Sequence, residues 1–224
     1  MFSDKYIILE KILMIPAILI AFTVHEYAHG IVSDKLGDKT ARLQGRLTLN
    51  PIKHIDFMGF IMILILGFGW AKPIETNPSS YKNYYKDDLK VSFAGPIANL
   101  ITAAFFALIY GVLNNHLYNL VDSEKGSKVL FFLLYIVTKT VIINSMLFLF
   151  NLLPVPGFDG FHIIRDLFPR VINKFGGNFY TYQMVFLAIL LIPLPIIKTS
   201  IVSYIVGIPS YYIAELFLKI GSAI

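Results

Sequence analysis

The sequence predicts an all-α polytopic membrane protein, a helical transmembrane core of about four to six segments with a small re-entrant, strand-like element. Three observations carry that reading. Hydrophobic residues make up 56% of the 224-residue chain, and mean hydropathy is +0.68. Charged residues make up only 15%, too few to cover the surface of a soluble domain of this length. Three apolar runs, near 6–33, 91–113 and 129–150, each have the length that crosses a bilayer.

The first run, about Tyr6 to Ser33, has Glu10 and Lys11 near its start and Gly37 just beyond its end. It leads into HEYAH and not into a small-residue cleavage site, so it reads as a retained helix. Residues 41–50, ARLQGRLTLN, alternate polar and apolar side chains as a strand does. Residues 55–69, broken by Gly59, Gly67 and Gly69, are short for a span and fit a re-entrant or interfacial element. The second span is VSFAGPIANLITAAFFALIYGVL, 91–113, followed by a loop at 114–127. The third, 129–150, runs into NLLPVPGFDG, and 160–173 reads as a short interfacial helix. The tail, 183–220, is apolar but cut by Pro193, Pro195 and Pro209. It fits either one span plus an interfacial segment or two short spans. There is no internal repeat, and 1–224 reads as a single domain.

The absence of cysteine excludes disulfides, a thiol nucleophile and a zinc–thiolate site. No G-x-S-x-G element supports a serine mechanism. The net charge of +5 is scattered over short loops, which speaks for membrane topology and against a nucleic-acid partner. Lys35, Lys39, Arg42, Arg46, Lys53, Lys72, Lys82, Lys86 and Lys90 lie between spans one and two; Lys125 and Lys128 lie between spans two and three. This asymmetry places the first connection in the cytoplasm and the amino terminus outside. HEYAH and NLLPVPGFDG then reach similar depths, toward the cytoplasmic face of the cell membrane.

His25 and His29 are four residues apart, on one face of a helix, as two ligands of one metal would be. A catalytic zinc takes three protein ligands and leaves a position for water. Glu26 lies beside the histidines and is suited to take a proton from a metal-activated water. The bland alternative is a buried histidine pair bonded to its neighbours, but ionisable groups inside a span are costly and usually functional. The third ligand has four carboxylate candidates: Glu10, Asp56, Glu215 and Asp159. Asp159 lies at the depth of the histidines, on a stretch stiffened by Pro154 and Pro156 and opened by Gly157 and Gly160. Its competing role is to cap the helix that follows.

HEYAH together with NLLPVPGFDG, spaced N-x-x-P-x-x-x-x-D-G, resembles the site-2 protease family of intramembrane zinc metalloproteases. SFAGPIANL is similar to that family's A-G-P-x-x-N element, and NPIKHIDFMG and GWAKPI to its membrane-associated hairpin region. The resemblance covers about residues 15–165 and is to the compact form, without an inserted PDZ domain. It implies cleavage of a membrane-spanning protein substrate, one zinc ion per chain held by His25, His29 and Asp159, and Glu26 as catalytic base. It also places Asn151 near the metal, as a substrate or oxyanion contact.

Other residues keep two readings. Asn99 and Asn151 either contact substrate or link helices by hydrogen bonds. His162 stands where many relatives carry arginine; it is an outer-shell partner, an alternative ligand or an interfacial side chain. His54 reads as a loop residue, Gly95 and Pro96 as a close helix contact, and Lys139 in mid-span has no evident role. The strand-like 41–50 segment offers an edge for an extended substrate, or simply packs on the membrane face. The alternative function is a membrane metal carrier or sensor using His25, His29 and Asp159, which would have no need of Glu26.

Overall fold

The structure, a computed structural model, describes residues 2–66, 69–117, 123–174, 185 and 200–224. The described α-helices are α1 (Phe2–Lys35), α2 (Thr40–Leu43), α3 (Phe57–Leu66), α4 (Tyr84–Val112), α5 (Glu124–Asn151), α6 (Asp159–Leu167), α7 (Pro169–Lys174) and α8 (Ile208–Ser222). Leu9–Lys35, Tyr84–Leu117 and Glu124–Asn151 are each long and apolar enough to cross a membrane. Helix α4 lies at the centre, in contact with α1, α5, α6 and α8.

The side chains of α4 are distributed inside out. Ile97, Ile101, Phe105, Leu108 and Val112 are exposed along one stripe, while Asn99, Ala103, Ala107 and Gly111 are buried on the other. In lipid there is no hydrophobic gain from pressing large apolar faces together, so helices pack through small residues and polar bonds. Ala103 and Ala107 meet Val141 of α5 and Ala214 of α8. Gly111 and Gly221 bring α4 and α8 so close that a Cβ at either would strike the opposite backbone. On the other flank Ala17, Ile18 and Ala21 of α1 pack with Ile143 of α5 and with Phe60 and Ile63 of α3.

Helix α3 has 10 residues and spans about 15 Å, half the hydrocarbon thickness, too short to cross a bilayer, as the sequence predicts for this segment. Asp56 starts it by accepting the Gly59 N–H at 2.8 Å. The expected strand at 41–50 does not form. Thr40–Leu43 is one helical turn, Gly45 has φ +64°, and the only β pairing among the described residues is an isolated antiparallel bridge between Ile55 and Ala71. A strand needs a partner for its backbone, and 41–50 has none among the described residues; burial does not follow the alternation either, with Ala41 and Arg46 inside and Leu43 and Leu49 outside.

The expected helix at 160–173 is two helices. Pro169 follows Phe168, and a residue before proline is pushed out of helical geometry. In the tail, Pro193 and Pro195 lie outside the described residues, and Pro209 sits in the first turn of α8, where its missing N–H costs nothing. Lys139 lies midway along α5 with its ammonium 5.1 Å from the Tyr135 ring centroid, a cation–π contact that gives it a partner within its own helix.

The end of α1 is tied to the approach to α4 by Asp38, which is 1% exposed. Its Oδ1 accepts from the Thr40 N–H (2.9 Å) and hydroxyl (2.5 Å), its Oδ2 from the Ser33 hydroxyl (2.8 Å) and the Asn77 N–H (2.7 Å). Burial alone would raise the pKa of this carboxyl, but the four donors hold it below the ordinary value. Its contribution is therefore present above the ordinary carboxylate pKa and lost as pH falls through the depressed folded value. Asp38→Ala should destabilise the protein by about 3 kcal/mol in thermal unfolding at neutral pH. The difference from the parent should shrink on acidification.

Candidate active site

One helical turn of α1 brings the Nε2 atoms of His25 and His29 to 3.0 Å from each other. The third group arrives from α5. After Asn151 the chain turns through Pro154 and Pro156, and Gly157 at φ +94° reverses it as few other residues can. Gly160 then presses on the Leu152 carbonyl, leaving no room for a Cβ and seating the first turn of α6 against the end of α5. Asp159 opens α6. Its Oδ2 lies 3.2 Å from His25 Nε2 and its Oδ1 3.3 Å from His29 Nε2. The cap of α6 is Phe158, which makes no side-chain bond, so Asp159 is not spent on capping. The other three carboxylates are elsewhere: Glu10 is exposed, Asp56 caps α3 and Glu215 pairs with Lys219 at 2.7 Å.

The far sides of both imidazoles are committed. His25 Nδ1 donates to Asn99 Oδ1 at 2.6 Å, and His29 Nδ1 donates to the Val91 carbonyl at 2.7 Å. With both Nδ1 atoms protonated, both Nε2 atoms carry lone pairs. Two lone pairs and a carboxylate thus converge on one point, among residues that are almost fully buried. Such a cluster repels itself unless a cation lies between the three groups. The separations suit zinc: a tetrahedral ion with bonds of about 2.0–2.1 Å spaces its ligands about 3.3–3.4 Å apart. His25, His29 and Asp159 could hold one metal ion. Gly95 of α4 lies against the pair; a Cβ there would sit 2.6 Å from His25 Cε1.

Glu26 is 8% exposed and does not join the cluster. Its Oε2 accepts the Ile74 N–H at 2.6 Å. Ile74 belongs to an irregular stretch, Lys72–Asn77, clamped in turn by Arg46. Arg46 is 6% exposed and has no carboxylate partner among the described residues. Its guanidinium donates to the carbonyls of Lys53 (3.2 Å), Lys72 (2.7 Å) and Pro73. Sequence reading counted Arg46 only as a loop charge; the three carbonyls come from segments that no spacing rule connects to it. The cluster and Glu26 open into a cavity of about 540 Å³, also lined by Trp70, Ile74 and Asn151.

The remaining candidates divide cleanly. Asn151 lines the cavity and donates one amide hydrogen to the Leu147 carbonyl at 3.0 Å. Asn99 is not among the cavity's lining residues: it is 0% exposed and stands behind His25, where its Oδ1 accepts from His25 Nδ1 and links α4 to α1. His54 is a loop residue as expected, though fully buried, with Nε2 donating to the Thr48 carbonyl. His162 lines the cavity and is not one of the three clustered groups; burial, then the neighbouring Arg165, holds its pKa below the ordinary value, so it stays neutral.

Gly95→Ala should displace the two rings and weaken zinc binding by about tenfold or more while the helices stay folded. Competition with a chelator and circular dichroism on the purified variant check this.

Sequence comparison agrees with the geometry. The model of Peptidase family M50 matches residues 13–193. A protein of Bacillus subtilis (strain 168) named as a zinc metalloprotease, YwhC, is 42% identical over 186 residues, covering 81% of each chain. Another so named, Rip2 of Mycolicibacterium smegmatis (strain ATCC 700084 / mc(2)155), is 31% identical over 158 residues, covering 67% of this chain and 55% of its own. No solved structure matches. With paired motifs and a family match over most of its length, the chain belongs to peptidase family M50, the site-2 protease family, and is a membrane-embedded zinc metalloprotease.

Proposed function

We propose that the chain hydrolyses peptide bonds in or near transmembrane segments of membrane-tethered proteins, with His25, His29 and Asp159 as zinc ligands and Glu26 as general base. The observation that carries this reading is the convergence of three electron-pair donors 3.0–3.3 Å apart beside a carboxylate that faces the same cavity. Zinc, when bound, polarises a carbonyl and makes water acidic enough to attack at neutral pH. The chain does the rest. The Ile74 N–H holds Glu26 Oε2 and leaves Oε1 to take the proton and pass it to the leaving amine. Asn151 keeps a second amide hydrogen for negative charge developing on the substrate carbonyl. A metal carrier has no use for a carboxylate held in this way.

The cavity also limits the form of the substrate. A helix is about 10–12 Å across and hides each carbonyl in its own ladder, so a scissile bond must be unwound to reach the cluster. Unwinding inside lipid is costly unless the freed groups find partners. The irregular stretch from Gly69 to Thr76 lines the cavity, and this stretch, in place of 41–50, is the edge that would receive an extended chain.

The site lies toward the cytoplasmic face. Support comes from the Lys and Arg excess between the first two spans and from the cluster's place, with His25 and His29 in the C-terminal part of α1 and Asp159 at the start of α6, just after α5 ends.

Glu26→Gln should abolish cleavage of a model membrane substrate while retaining one zinc per chain, read by metal analysis of the same preparation. Cleavage at the parental rate would remove Glu26 as base; lost zinc would make it a ligand. The native chain has no cysteine, so single cysteines report topology without background. At the exposed Lys86, a cysteine should react with impermeant reagent only after the inner face is opened, and at Ser123 it should react in intact cells. The reverse pattern would place the site on the outer face.

A further inference from the structure

Behind His25 lies a chain of buried amides. Asn99 and Asn144 are both 0% exposed. Asn144, on α5, donates through Nδ2 to the Thr140 carbonyl one turn earlier, at 2.8 Å. Its Oδ1 accepts from Asn99 Nδ2 at 2.8 Å. Asn99 Nδ2 also donates to the Ala21 carbonyl on α1, at 3.0 Å, and its Oδ1 accepts from His25 Nδ1 at 2.6 Å. Four groups on three helices are thus joined in one line.

The line has a direction, and chemistry sets it. A backbone carbonyl can only accept, so the end of Asn144 that faces Thr140 must be its NH2. Its oxygen then faces Asn99, which must answer with its own NH2. The Ala21 carbonyl demands the same of Asn99. Asn99 has only its oxygen left for His25, and His25 must donate from Nδ1. The remaining nitrogen, Nε2, is left with a lone pair pointing at His29 and Asp159. Reversing either amide would put two donors or two acceptors face to face at fully buried positions.

We propose that Asn144 is a positioning residue for the metal site: through Asn99 it fixes which nitrogen of His25 faces the metal. It touches neither substrate nor metal. The proposal rests on His25 being a zinc ligand. The second imidazole needs no such relay, since the Val91 carbonyl fixes His29 directly at 2.7 Å. Asn144 therefore acts on one of the two rings, and its removal weakens the site without abolishing it.

The test compares the zinc-loaded full chain in detergent with three variants. Asn144→Leu keeps the volume and removes both bonds. Asn144→Asp, held protonated by its full burial, donates its O–H to the Thr140 carbonyl and presents its C=O to Asn99, so it preserves the direction of the line. Ser145→Ala removes a neighbouring buried hydroxyl that has no hydrogen-bond partner among the described residues and serves as control. Zinc affinity is read by chelator competition, and the His25 Nδ1 proton by 15N-edited NMR of histidine-labelled protein. Outer-shell partners typically change metal affinity about 10–100-fold, so Asn144→Leu should bind zinc about tenfold more weakly and lose the downfield Nδ1 proton signal. Asn144→Asp and Ser145→Ala should stay within about threefold of the parent and keep the signal. Parental affinity and signal in Asn144→Leu would overturn the proposal. If that variant does not fold, Asn144→Asp decides alone: a weakened site with the Nδ1 signal lost would overturn it. A parent chain whose zinc affinity is unchanged by His25→Ala would defeat the ligand reading instead, before the Asn144 variants are compared.

Discussion

Two imidazole nitrogens and a carboxylate face each other at 3.0–3.3 Å, all offering electron pairs, inside a protein whose surface is built for lipid. That arrangement costs free energy in the absence of a cation, and much of the surrounding structure keeps it from relaxing. Each imidazole is fixed from behind by an acceptor on α4, the Asn99 amide for His25 and the Val91 carbonyl for His29. Gly95, on the same helix, denies the rings any slack in between. Asp159 is brought up by a proline- and glycine-shaped turn that no other local sequence on the chain reproduces. The geometry of the cluster is thus a property of three helices and one turn held together, and not of the H-E-x-x-H helix alone.

The packing follows from the same setting. Lipid gives no reward for burying leucine against leucine, so α4 turns its large side chains outward and its alanines, glycines and asparagine inward. This lets α1, α5 and α8 approach closely enough for polar side chains to reach across. Outside the spans the task differs. The Arg46 guanidinium draws the carbonyls of Lys53, Lys72 and Pro73 together, and the stretch it fixes delivers the Ile74 N–H to Glu26. Glu26 and the His25–His29–Asp159 cluster are therefore oriented by separate supports, one in the connecting loop and one between helices.

Much of this was legible in the residues. Three spans follow from hydropathy, and the pairing of HEYAH with NLLPVPGFDG marks both halves of the site because a metal needs ligands of those types at those spacings. The reading of 41–50 as a strand failed because the alternation of residue types does not track burial there: Leu43 and Leu49 are outside. Nor does alternation report whether a backbone partner exists, and Arg46 was one of the inward residues. The single helix expected at 160–173 breaks at Phe168, because Pro169 pushes the residue before it out of helical geometry. The places of Asn99 and Asn144 were not readable, since they depend on how α4 and α5 rotate about their axes. The inward stripe Ala103, Ala107, Gly111 was readable, as small residues every fourth position, and would have named the buried face of α4.

The most direct measurement of the central claim is X-ray absorption at the zinc edge of the purified, zinc-loaded protein. The account predicts one zinc per chain, with two imidazole nitrogens and carboxylate or water oxygen at about 2.0–2.2 Å, and loss of one imidazole from the shell in His25→Ala and in His29→Ala. A shell of oxygen alone, or one unchanged in both histidine variants, would contradict it.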